Sequence, residues 1–358
     1  MVIGGGSWGT TLAKLFSPYY PLILGVRTCE QAIQIKRDRE NRRYLPGIPL
    51  PPELEVEGLG EVSFLPNDIL ILAVPAHQLR ATLHQLASQY LHQPVVIGTK
   101  GLEWTGGERL KTCSQVVSEV LPEAPLVVWG GPNISWEIAK GLPARAVLAS
   151  EDPHLLSRVA RRLTTPQLTF EFSRDVRGVE LCSALKGLIA IALGLVDGLG
   201  LGVNCAALVL TYGLQELVTL ADLLGISPAT IYGIAGLGDS LASGLSPRGR
   251  NRTFGQLLAQ GYSPRQAQQK VGMVVEGLFI LLTLSQWDSL DLPLPLFSFL
   301  KTVVLPNGDG NSFLNLTSDE SMPDSSVTPP QIRDRLIETI LHYPRMSRRH
   351  ILKVPQVV

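Results

Sequence analysis

The sequence predicts an α/β protein in which a domain built on a parallel β-sheet precedes an all-helical domain. In the first half of the 358-residue chain, short apolar runs alternate with helix-like stretches, a pattern typical of βαβ units. From about Asp175 to Leu300, apolar residues instead recur at helical spacing in long blocks. We therefore predict a sheet domain over residues 1–174, a helical domain over 175–300, and a divergent, partly disordered tail over 301–358.

Five apolar runs in the sheet domain have the composition of strands that are buried on both faces. These runs are 22–26, 69–74, 95–99, 126–130 and 145–149. Candidate helices lie between them, for example from Trp8 to Phe16 and from Gln78 to Gln89. The proline-rich stretch 45–58 is predicted to be a loop, because proline removes a backbone donor and fixes φ.

Three apolar blocks, 176–196, 205–224 and 265–285, predict the helices of the second domain. In the tail, residues 305–331 are rich in Ser, Asp, Asn and Pro, so we expect them to be disordered. Residues 331–343 have the pattern of one amphipathic helix, and the basic end of the chain is expected to be solvated.

The composition argues against several classes of function. Hydrophobic residues make up 45% of the chain, and Lys+Arg and Asp+Glu both count 31, so no global charge favours nucleic acid or an anionic membrane. The four cysteines are scattered, which predicts reduced thiols in a cytoplasmic protein, and no metal site is predicted. The most apolar stretch, 187–203, contains Asp197 and five glycines, and we expect no membrane span.

The first ten residues contain the spacing Gly4-x-Gly6-x-x-Gly9. In a Rossmann-type domain the first glycine makes a tight turn, the second admits the pyrophosphate, and the third allows close packing of helix on strand. The helix-like run and strand that follow favour a dinucleotide site over an ordinary glycine-rich turn. Only three residues precede Gly4, so we expect a shortened first strand, a truncated start, and a more stable protein when the chain is extended upstream.

Arg27 ends the second predicted strand. An acidic residue in this region binds the ribose hydroxyls of NAD, whereas an arginine suits a 2′-phosphate. The sequence therefore favours NADP(H), with NAD(H) as the second candidate. The alternative is an ordinary surface arginine at the end of a strand.

Polar side chains follow two further strands. Lys100 comes after the strand at 95–99, and Gly131 and Asn133 come after the strand at 126–130. Ligands of open α/β sheets bind at the carboxyl ends of strands, so these two turns predict one edge of an active site.

Lys186 lies in a predicted helix that is otherwise almost uniformly apolar. It is either a lysine that reaches the surface from the edge of the core, or a partly buried lysine that exchanges a proton with a carbonyl or alcohol oxygen. Asp239, in the turn "GIAGLGDS", is in turn either a carboxylate of the site or a residue that stabilises its own turn.

The segment "SPRGRNRTFG" places Arg248, Arg250 and Arg252 around Asn251 at a junction between loop and helix. Guanidinium groups bind phosphate through paired hydrogen bonds, and the start of a helix adds backbone donors. In a chain without net charge, this local concentration favours a phosphate site over a solvated basic turn.

These motifs, in this order, resemble the NAD(P)-dependent sn-glycerol-3-phosphate dehydrogenases of the bacterial type. The blocks that carry the resemblance include "IGGGSWGTTLA", "GTKGLE", "GVELCSALKGLIAIALGLVDGLGLG", "AGLGD", "SPRGRNRTFG" and "VVEG". The resemblance covers residues 2 to about 290, and its later blocks are more specific than the glycine loop.

The resemblance implies a reaction and a set of site residues. It implies hydride transfer from NAD(P)H to C2 of dihydroxyacetone phosphate, with Lys186 as proton donor and acceptor, in the supply of glycerol 3-phosphate for phospholipid synthesis. It further implies substrate contacts at Lys100, Gly131, Asn133, Lys186, Asp239, Gly249, Arg250 and Asn251. The implied cofactor contacts are Gly4, Gly6, Ser7, Trp8, Gly9, Arg27, Lys100, Ser135, Arg250, Val274 and Glu276.

The sequence departs from the family's usual pattern at several positions. Gly187 stands where Asn is usual, Asn133 where Ser or Thr is usual, and Gly249 where Ser is usual. We expect activity that is either reduced or accompanied by altered affinity. The expected partner is a small phosphorylated triose, with a homodimer left open. The alternatives are a dehydrogenase of another hydroxy acid and a non-catalytic NADP-binding protein.

Overall fold

The computed structural model describes residues 1–104, 110–224, 226–284, 294–305 and 327–344. The chain divides into two compact units, an N-terminal unit that ends at Leu181 and a C-terminal unit that begins at Cys182. This division lies inside a helix, whereas the sequence places the domain boundary at residue 174, just before that helix.

The strands of the N-terminal unit are β1 (Val2–Ile3), β2 (Ile23–Val26), β3 (Glu55–Gly58), β4 (Leu70–Leu72), β5 (Val95–Ile97), β6 (Leu102–Trp104), β7 (Leu110–Thr112), β8 (Leu126–Gly130), β9 (Ala144–Ala149) and β10 (Leu168–Ser173). Eight of them form one sheet in the order β10-β9-β8-β5-β4-β1-β2-β3. Neighbours in this sheet are parallel except β8 and β9, which pair antiparallel. The predicted parallel-sheet domain is therefore confirmed, with one antiparallel pair.

The predicted loop over 45–58 is wrong at its end, because Glu55–Gly58 forms the edge strand β3, which pairs with β2. In this strand Val56 and Gly58 are buried, but Glu55 is exposed. An edge strand that is half covered does not have the uniformly apolar composition of a central strand. Strand β10 was not predicted for the same reason. Buried and solvent-facing residues are mixed in it.

The helices of the N-terminal unit are α1 (Ser7–Phe16), α2 (Cys29–Asp38), α3 (Ala76–Leu86), α4 (Cys113–Val120), α5 (Ser135–Ala139) and α6 (Pro153–Leu163). The core beside the sheet contains a group of aromatic rings that meet edge to face around Trp129, which is 1% exposed. Its ring centroid lies 5.5 Å from that of Trp8, 6.4 Å from that of Phe16 and 4.9 Å from that of Phe170. These contacts fix the end of β8, where predicted site residues lie.

The helices of the C-terminal unit start with α7 (Val176–Gly198), which crosses the boundary between the units. They continue with α8 (Gly202–Leu224), α9 (Pro228–Tyr232), α10 (Asp239–Leu245), α11 (Arg250–Ala259), α12 (Pro264–Val271), α13 (Glu276–Leu284), α14 (Pro295–Val304) and α15 (Pro329–Leu341). The predicted all-helical domain is confirmed. The single block at 265–285 is not one helix, because Gly272 adopts a left-handed conformation with φ of 65° and ends α12.

Helix α7 is the core of the C-terminal unit, and Leu185, Leu188 and Ile189 are fully buried. Close packing against α11 depends on glycine. A Cβ atom at Gly194 would lie 2.1 Å from the Arg252 carbonyl oxygen, and a Cβ atom at Gly255 would lie 2.1 Å from the Ile191 carbonyl oxygen. The backbones of the two helices therefore touch, which sets the position of the N-terminus of α11.

Two helices, α7 and Gly202–Ala221 within α8, are long and apolar enough to cross a membrane by length and composition alone. In the most apolar window of α7, 94% of the residues are buried inside the protein, against 33% for the second helix. The core helix of a soluble protein passes the same test, and the burial of α7 matches that case. The expected absence of a membrane span stays a prediction.

In the predicted tail, Pro329–Leu341 forms α15 with Ile332, Leu336 and Ile340 buried, in agreement with the predicted amphipathic helix. Residues 301–304 belong to α14, so the helical domain extends past residue 300. The predicted disordered stretch and the basic end lie largely outside the described residues, at 306–326 and 345–358.

Candidate active site

The glycine loop joins β1 to the N-terminus of α1 in the centre of the sheet. Gly4 has φ of 129°, and a Cβ atom there would lie 2.5 Å from the Ala73 carbonyl oxygen. A Cβ atom at Gly9 would lie 1.9 Å from the Gly4 carbonyl oxygen, whereas no atom lies within 4 Å of a Cβ position at Gly6. Gly6 is also the N-cap of α1 and offers no side chain to the free backbone donors of the first turn. The loop therefore fits a dinucleotide pyrophosphate, which needs close approach at Gly6 and unpaired N–H groups.

Polar groups of the segment around residues 41–44 hold this loop in place. The Asn41 amide donates hydrogen bonds to the Gly5 carbonyl oxygen (2.9 Å) and to the Thr10 hydroxyl (2.7 Å). The Ser7 hydroxyl donates a short hydrogen bond to the Tyr44 carbonyl oxygen. Sequence analysis missed Asn41 and Tyr44, because nothing in their spacing relates them to the loop.

Two other predicted cofactor contacts lie in the N-terminal unit. Arg27 is exposed directly after β2, at the edge of the sheet where the ribose of a dinucleotide binds in Rossmann-type domains. Ser135 is the first residue of α5, and its carbonyl oxygen accepts a hydrogen bond from the Thr11 hydroxyl of α1 (3.1 Å). Ser135 therefore lies close to the helix that begins at the glycine loop.

The structure brings together the polar residues that follow β5 and β8, which are neighbours in the sheet. The Lys100 ammonium donates a hydrogen bond to the Gly131 carbonyl oxygen (3.2 Å). Asn133 lies on the same loop, and its side-chain oxygen accepts a hydrogen bond from the Trp129 indole (2.5 Å). Amino and amide donors thus cluster at the carboxyl ends of two adjacent strands, as the strand pattern predicts.

In the C-terminal unit, Lys186 forms an ion pair with Asp239, and the structure brings these two predicted residues together. The Lys186 side chain is 13% exposed and the Asp239 side chain is fully buried. Asp239 starts α10 directly after a wide turn in which the Gly238 N–H bonds the Gly233 carbonyl oxygen (3.2 Å). The ammonium is thereby fixed at one edge of the core, with a small part of its surface reachable from outside.

Arg250, Val274 and Glu276 also lie together. The Arg250 guanidinium donates a hydrogen bond to the Val274 carbonyl oxygen (3.0 Å). Burial raises the pKa of the Glu276 carboxyl to about 7, and the nearby Arg250 charge opposes that rise. Arg250 therefore lies beside Val274 and near Glu276, where solvent reaches its side chain.

The N-terminus of α11 carries the predicted substrate triplet. Gly249 is its N-cap, and a Cβ atom there would lie 2.9 Å from the Ser243 carbonyl oxygen, so the turn favours glycine. The Asn251 side-chain oxygen accepts a hydrogen bond from the Gly277 N–H at the start of α13 (3.0 Å). Arg252 is different, because its guanidinium pairs with Asp197 (2.9 Å). Arg250 and Arg252 thus have separate environments, and Arg250 is the one beside the predicted cofactor residues.

Two buried glutamates were missed by the sequence analysis. Glu180 accepts hydrogen bonds from the Ser114 N–H (2.7 Å) and hydroxyl (2.6 Å) at the start of α4. Glu216 accepts hydrogen bonds from the Leu296 N–H (2.6 Å) and the Phe297 N–H (2.9 Å) at the start of α14. Their partners are far away in sequence, so spacing gave no signal, and both cap a helix rather than line the site. Within the described ranges, no group of three or more His, Cys, Asp or Glu residues is placed to hold a metal ion.

Comparison with known families places both units in one group. Residues 1–156 match the model of the NAD-dependent glycerol-3-phosphate dehydrogenase N-terminus. Residues 175–314 match the model of the corresponding C-terminus. The two matches together span most of the chain.

Individual relatives agree with this assignment. A protein of Thermus thermophilus named glycerol-3-phosphate dehydrogenase with NAD(P)+ specificity is 42% identical over 287 residues, which are 80% of this chain and 87% of that protein. A protein of Sphingopyxis alaskensis with the same name is 38% identical over 279 residues, or 77% and 83% of the two chains. The crystal structure of glycerol-3-phosphate dehydrogenase from Coxiella burnetii is similar with a TM-score of 0.78 and 29% identity, covering 88% of this chain and 96% of that one.

Proposed function

This chain belongs to the NAD-dependent glycerol-3-phosphate dehydrogenase family, and from that premise we propose how its residues carry out the reaction. The enzyme interconverts dihydroxyacetone phosphate and sn-glycerol 3-phosphate with NAD(P)H. The observation that carries the proposal is the ion pair of Lys186 and Asp239, since it fixes a proton donor at the edge of the core with 13% of the Lys186 side chain exposed.

Lys186 acts as the general acid in the direction of carbonyl reduction. When C2 of the triose receives a hydride, the carbonyl oxygen becomes an alkoxide, and Lys186 transfers a proton to that oxygen. Before this transfer, the positive charge of the ammonium stabilises the developing negative charge. In the reverse direction Lys186 removes the proton of the C2 hydroxyl. Asp239 is a positioning residue, because its carboxylate holds the ammonium in one orientation.

Arg250 and the free N–H groups at the start of α11 bind the phosphate group of the substrate. Lys100, Gly131 and Asn133 contact the triose, and Asn251 supports the site through its hydrogen bond to α13. Binding energy from the phosphate, which does not react, orients C2 for hydride transfer.

A bound reduced nicotinamide supplies the hydride. The residues proposed to hold the dinucleotide are the glycine loop (Gly4, Gly6 and Gly9), Ser7, Trp8, Arg27, Lys100, Ser135, Arg250, Val274 and Glu276. Gly6 supports this assignment, because the space that its Cβ would occupy is open. We propose a preference for NADP(H), since the exposed guanidinium of Arg27 suits a 2′-phosphate.

The proposed cellular role is the supply of glycerol 3-phosphate for glycerophospholipid synthesis in the cytoplasm. Growth of a glycerol-auxotrophic host without its own enzyme tests this role. Expression of the chain is expected to remove the need for glycerol, and a host that still needs glycerol would contradict it.

The direct test follows the absorbance of NADPH with dihydroxyacetone phosphate, and with dihydroxyacetone as the unphosphorylated comparison. The wild-type protein is expected to oxidise NADPH with the phosphorylated triose and far more slowly with dihydroxyacetone. Arg250→Ala is expected to raise KM for the phosphorylated triose by about 10- to 100-fold, because it removes a charge-assisted hydrogen bond. Arg333→Ala, an exposed arginine of α15, is the matched control and leaves KM unchanged.

Two results would overturn the proposal. A protein that binds NADPH but does not turn over dihydroxyacetone phosphate is a non-catalytic dinucleotide-binding protein. A protein whose selectivity for the phosphorylated triose survives Arg250→Ala has its phosphate site elsewhere.

A further inference from the structure

The loop after β8 carries an amide whose orientation is fixed by a buried indole. The Trp129 indole N–H donates a hydrogen bond to the side-chain oxygen of Asn133 (2.5 Å). An indole N–H is a donor and has no acceptor capacity, so the atom it faces must be the amide oxygen. The amide nitrogen of Asn133 therefore points away from Trp129.

That nitrogen is buried and has no hydrogen-bond partner among the described residues. An amide nitrogen carries two hydrogen-bond donors, and folded proteins rarely leave such a group buried and unpaired. An unpaired buried donor beside a predicted binding loop indicates an acceptor that a ligand brings.

A second donor group lies on the neighbouring loop, which follows β5. The Lys100 ammonium, held by the Gly131 carbonyl oxygen, also carries donors and no acceptor. An ammonium and an amide N–H group together suit a ligand rich in oxygen acceptors. A carbonyl or phosphate oxygen of a phosphorylated triose has this chemistry.

Trp129 is well placed to hold the amide still. Its side chain is 1% exposed and packs edge to face against Trp8, Phe16 and Phe170. An indole clamped by three rings cannot turn its N–H away without disturbing the core, because the interior is closely packed.

We propose that Trp129 is a positioning residue that keeps Asn133 with its amide N–H group toward the substrate, so that this position can only donate hydrogen bonds. This inference rests on the proposed function. A serine or threonine hydroxyl, which the family resemblance leads one to expect at position 133, both donates and accepts. The Trp129–Asn133 pair therefore makes the site selective for ligands that present an acceptor oxygen.

The test is a double-mutant cycle on KM for dihydroxyacetone phosphate. Trp129→Phe keeps a ring in the core but removes the indole donor, so the amide can rotate. It is expected to raise KM by about 3- to 10-fold, the scale of one hydrogen bond, with kcat and the Kd of NADPH within about two-fold of the wild-type values. In the Asn133→Ser background the same Trp129→Phe change is expected to leave KM unaltered, because no amide remains to be oriented.

Phe170→Leu is the matched control, since it also removes a ring that packs on Trp129 but leaves the indole donor in place. It is expected to lower thermal stability without changing KM. A rise in KM of equal size in both backgrounds, or no rise in either, would overturn the proposal. If Trp129→Phe does not fold, the variant Asn133→Asp tests the orientation of the amide instead. It puts a negative acceptor in place of the amide and is expected to raise KM at least 100-fold, so an unchanged KM would contradict the inferred orientation.

A wild-type protein that does not turn over the triose would contradict the proposed function instead. In that case the same variants are compared by calorimetric binding of sn-glycerol 3-phosphate. A Kd that rises on Trp129→Phe and stays unchanged on Phe170→Leu supports the oriented amide, and a Kd that does not respond to Trp129→Phe overturns it.

Discussion

The Lys186 ammonium donates a hydrogen bond to the carboxylate of Asp239, and that carboxylate is fully buried. A buried carboxylate without a cation is costly, whereas a buried pair replaced on both sides by neutral groups is often tolerated. The two residues are thus coupled in stability as well as in the proposed chemistry. This coupling makes it possible to separate the two roles by experiment.

We expect Lys186→Met to lower the free energy of unfolding by about 3–5 kcal/mol, because it removes the cation that pairs with the buried Asp239 carboxylate. The double variant Lys186→Met with Asp239→Asn is expected to recover most of this loss. Both variants are expected to lose at least about 10³-fold in kcat, since neither has a proton donor. Urea unfolding measures the loss of stability, and NADPH oxidation measures the loss of kcat. Near-normal turnover by the double variant would show that Lys186 is not the proton donor.

Two glycines of the cofactor loop are expected to respond differently to alanine. Gly6→Ala introduces a methyl group into open space, so we expect a folded protein with near-normal thermal stability. That methyl group would occupy the place proposed for the pyrophosphate, and the Kd of NADPH is expected to rise at least about 10-fold. Gly9→Ala places its Cβ against the Gly4 carbonyl oxygen and is expected to lower both stability and cofactor affinity. Fluorescence titration with NADPH measures the cofactor affinity of each variant, and thermal melting measures its stability. An equal loss of stability in Gly6→Ala and Gly9→Ala would contradict the prediction.

Close packing explains why residue 187 is glycine in this chain, although the family resemblance leads one to expect Asn there. A Cβ atom there would lie 2.9 Å from the Gly277 Cα atom and 3.1 Å from the Asn251 amide nitrogen. We expect Gly187→Ala to lower the free energy of unfolding by about 1–3 kcal/mol and to raise KM, because Asn251 and α13 must shift. Gly60→Ala, at a position with no atom within 4 Å of the new Cβ, is the control and is expected to change stability by less than about 0.5 kcal/mol. If Gly187→Ala is as stable as the wild type, α13 shifts away from the new methyl group without cost, and the prediction is contradicted.

The central strands and the places of several candidate site residues could be predicted from the sequence because their signals are local. A strand buried on both faces is a short apolar run, and β5 and β8 are of this kind. The positions of Lys100 and Gly131 then follow, since adjacent parallel strands end at the same edge. Lys186 was recognisable as the one charge within a long apolar stretch.

The features that could not be predicted depend on contacts between distant segments. Glu216 and the start of α14 are 80 positions apart, and no periodicity relates them. The edge strand β3 is half exposed, so its composition is that of a loop. The Trp129–Asn133 bond is close in sequence, but it depends on a turn geometry that the sequence pattern does not specify.

Burial raises the pKa of Glu216 to about 8, against the hydrogen bonds from two backbone N–H groups and Tyr343. Its ordinary pKa is 4.5, so between these values the folded protein holds a proton that the unfolded chain has lost. Since the folded state binds more protons there, the free energy of unfolding falls as pH rises from about 4.5 to about 8 and then levels off. We expect Glu216→Gln to remove this part of the pH dependence, and Glu338→Gln, an exposed glutamate of α15, to keep it. Urea unfolding measured at several pH values tests the difference. A Glu216→Gln profile parallel to that of the wild type would mean that the carboxylate is already ionised in the folded protein, held by its three donors.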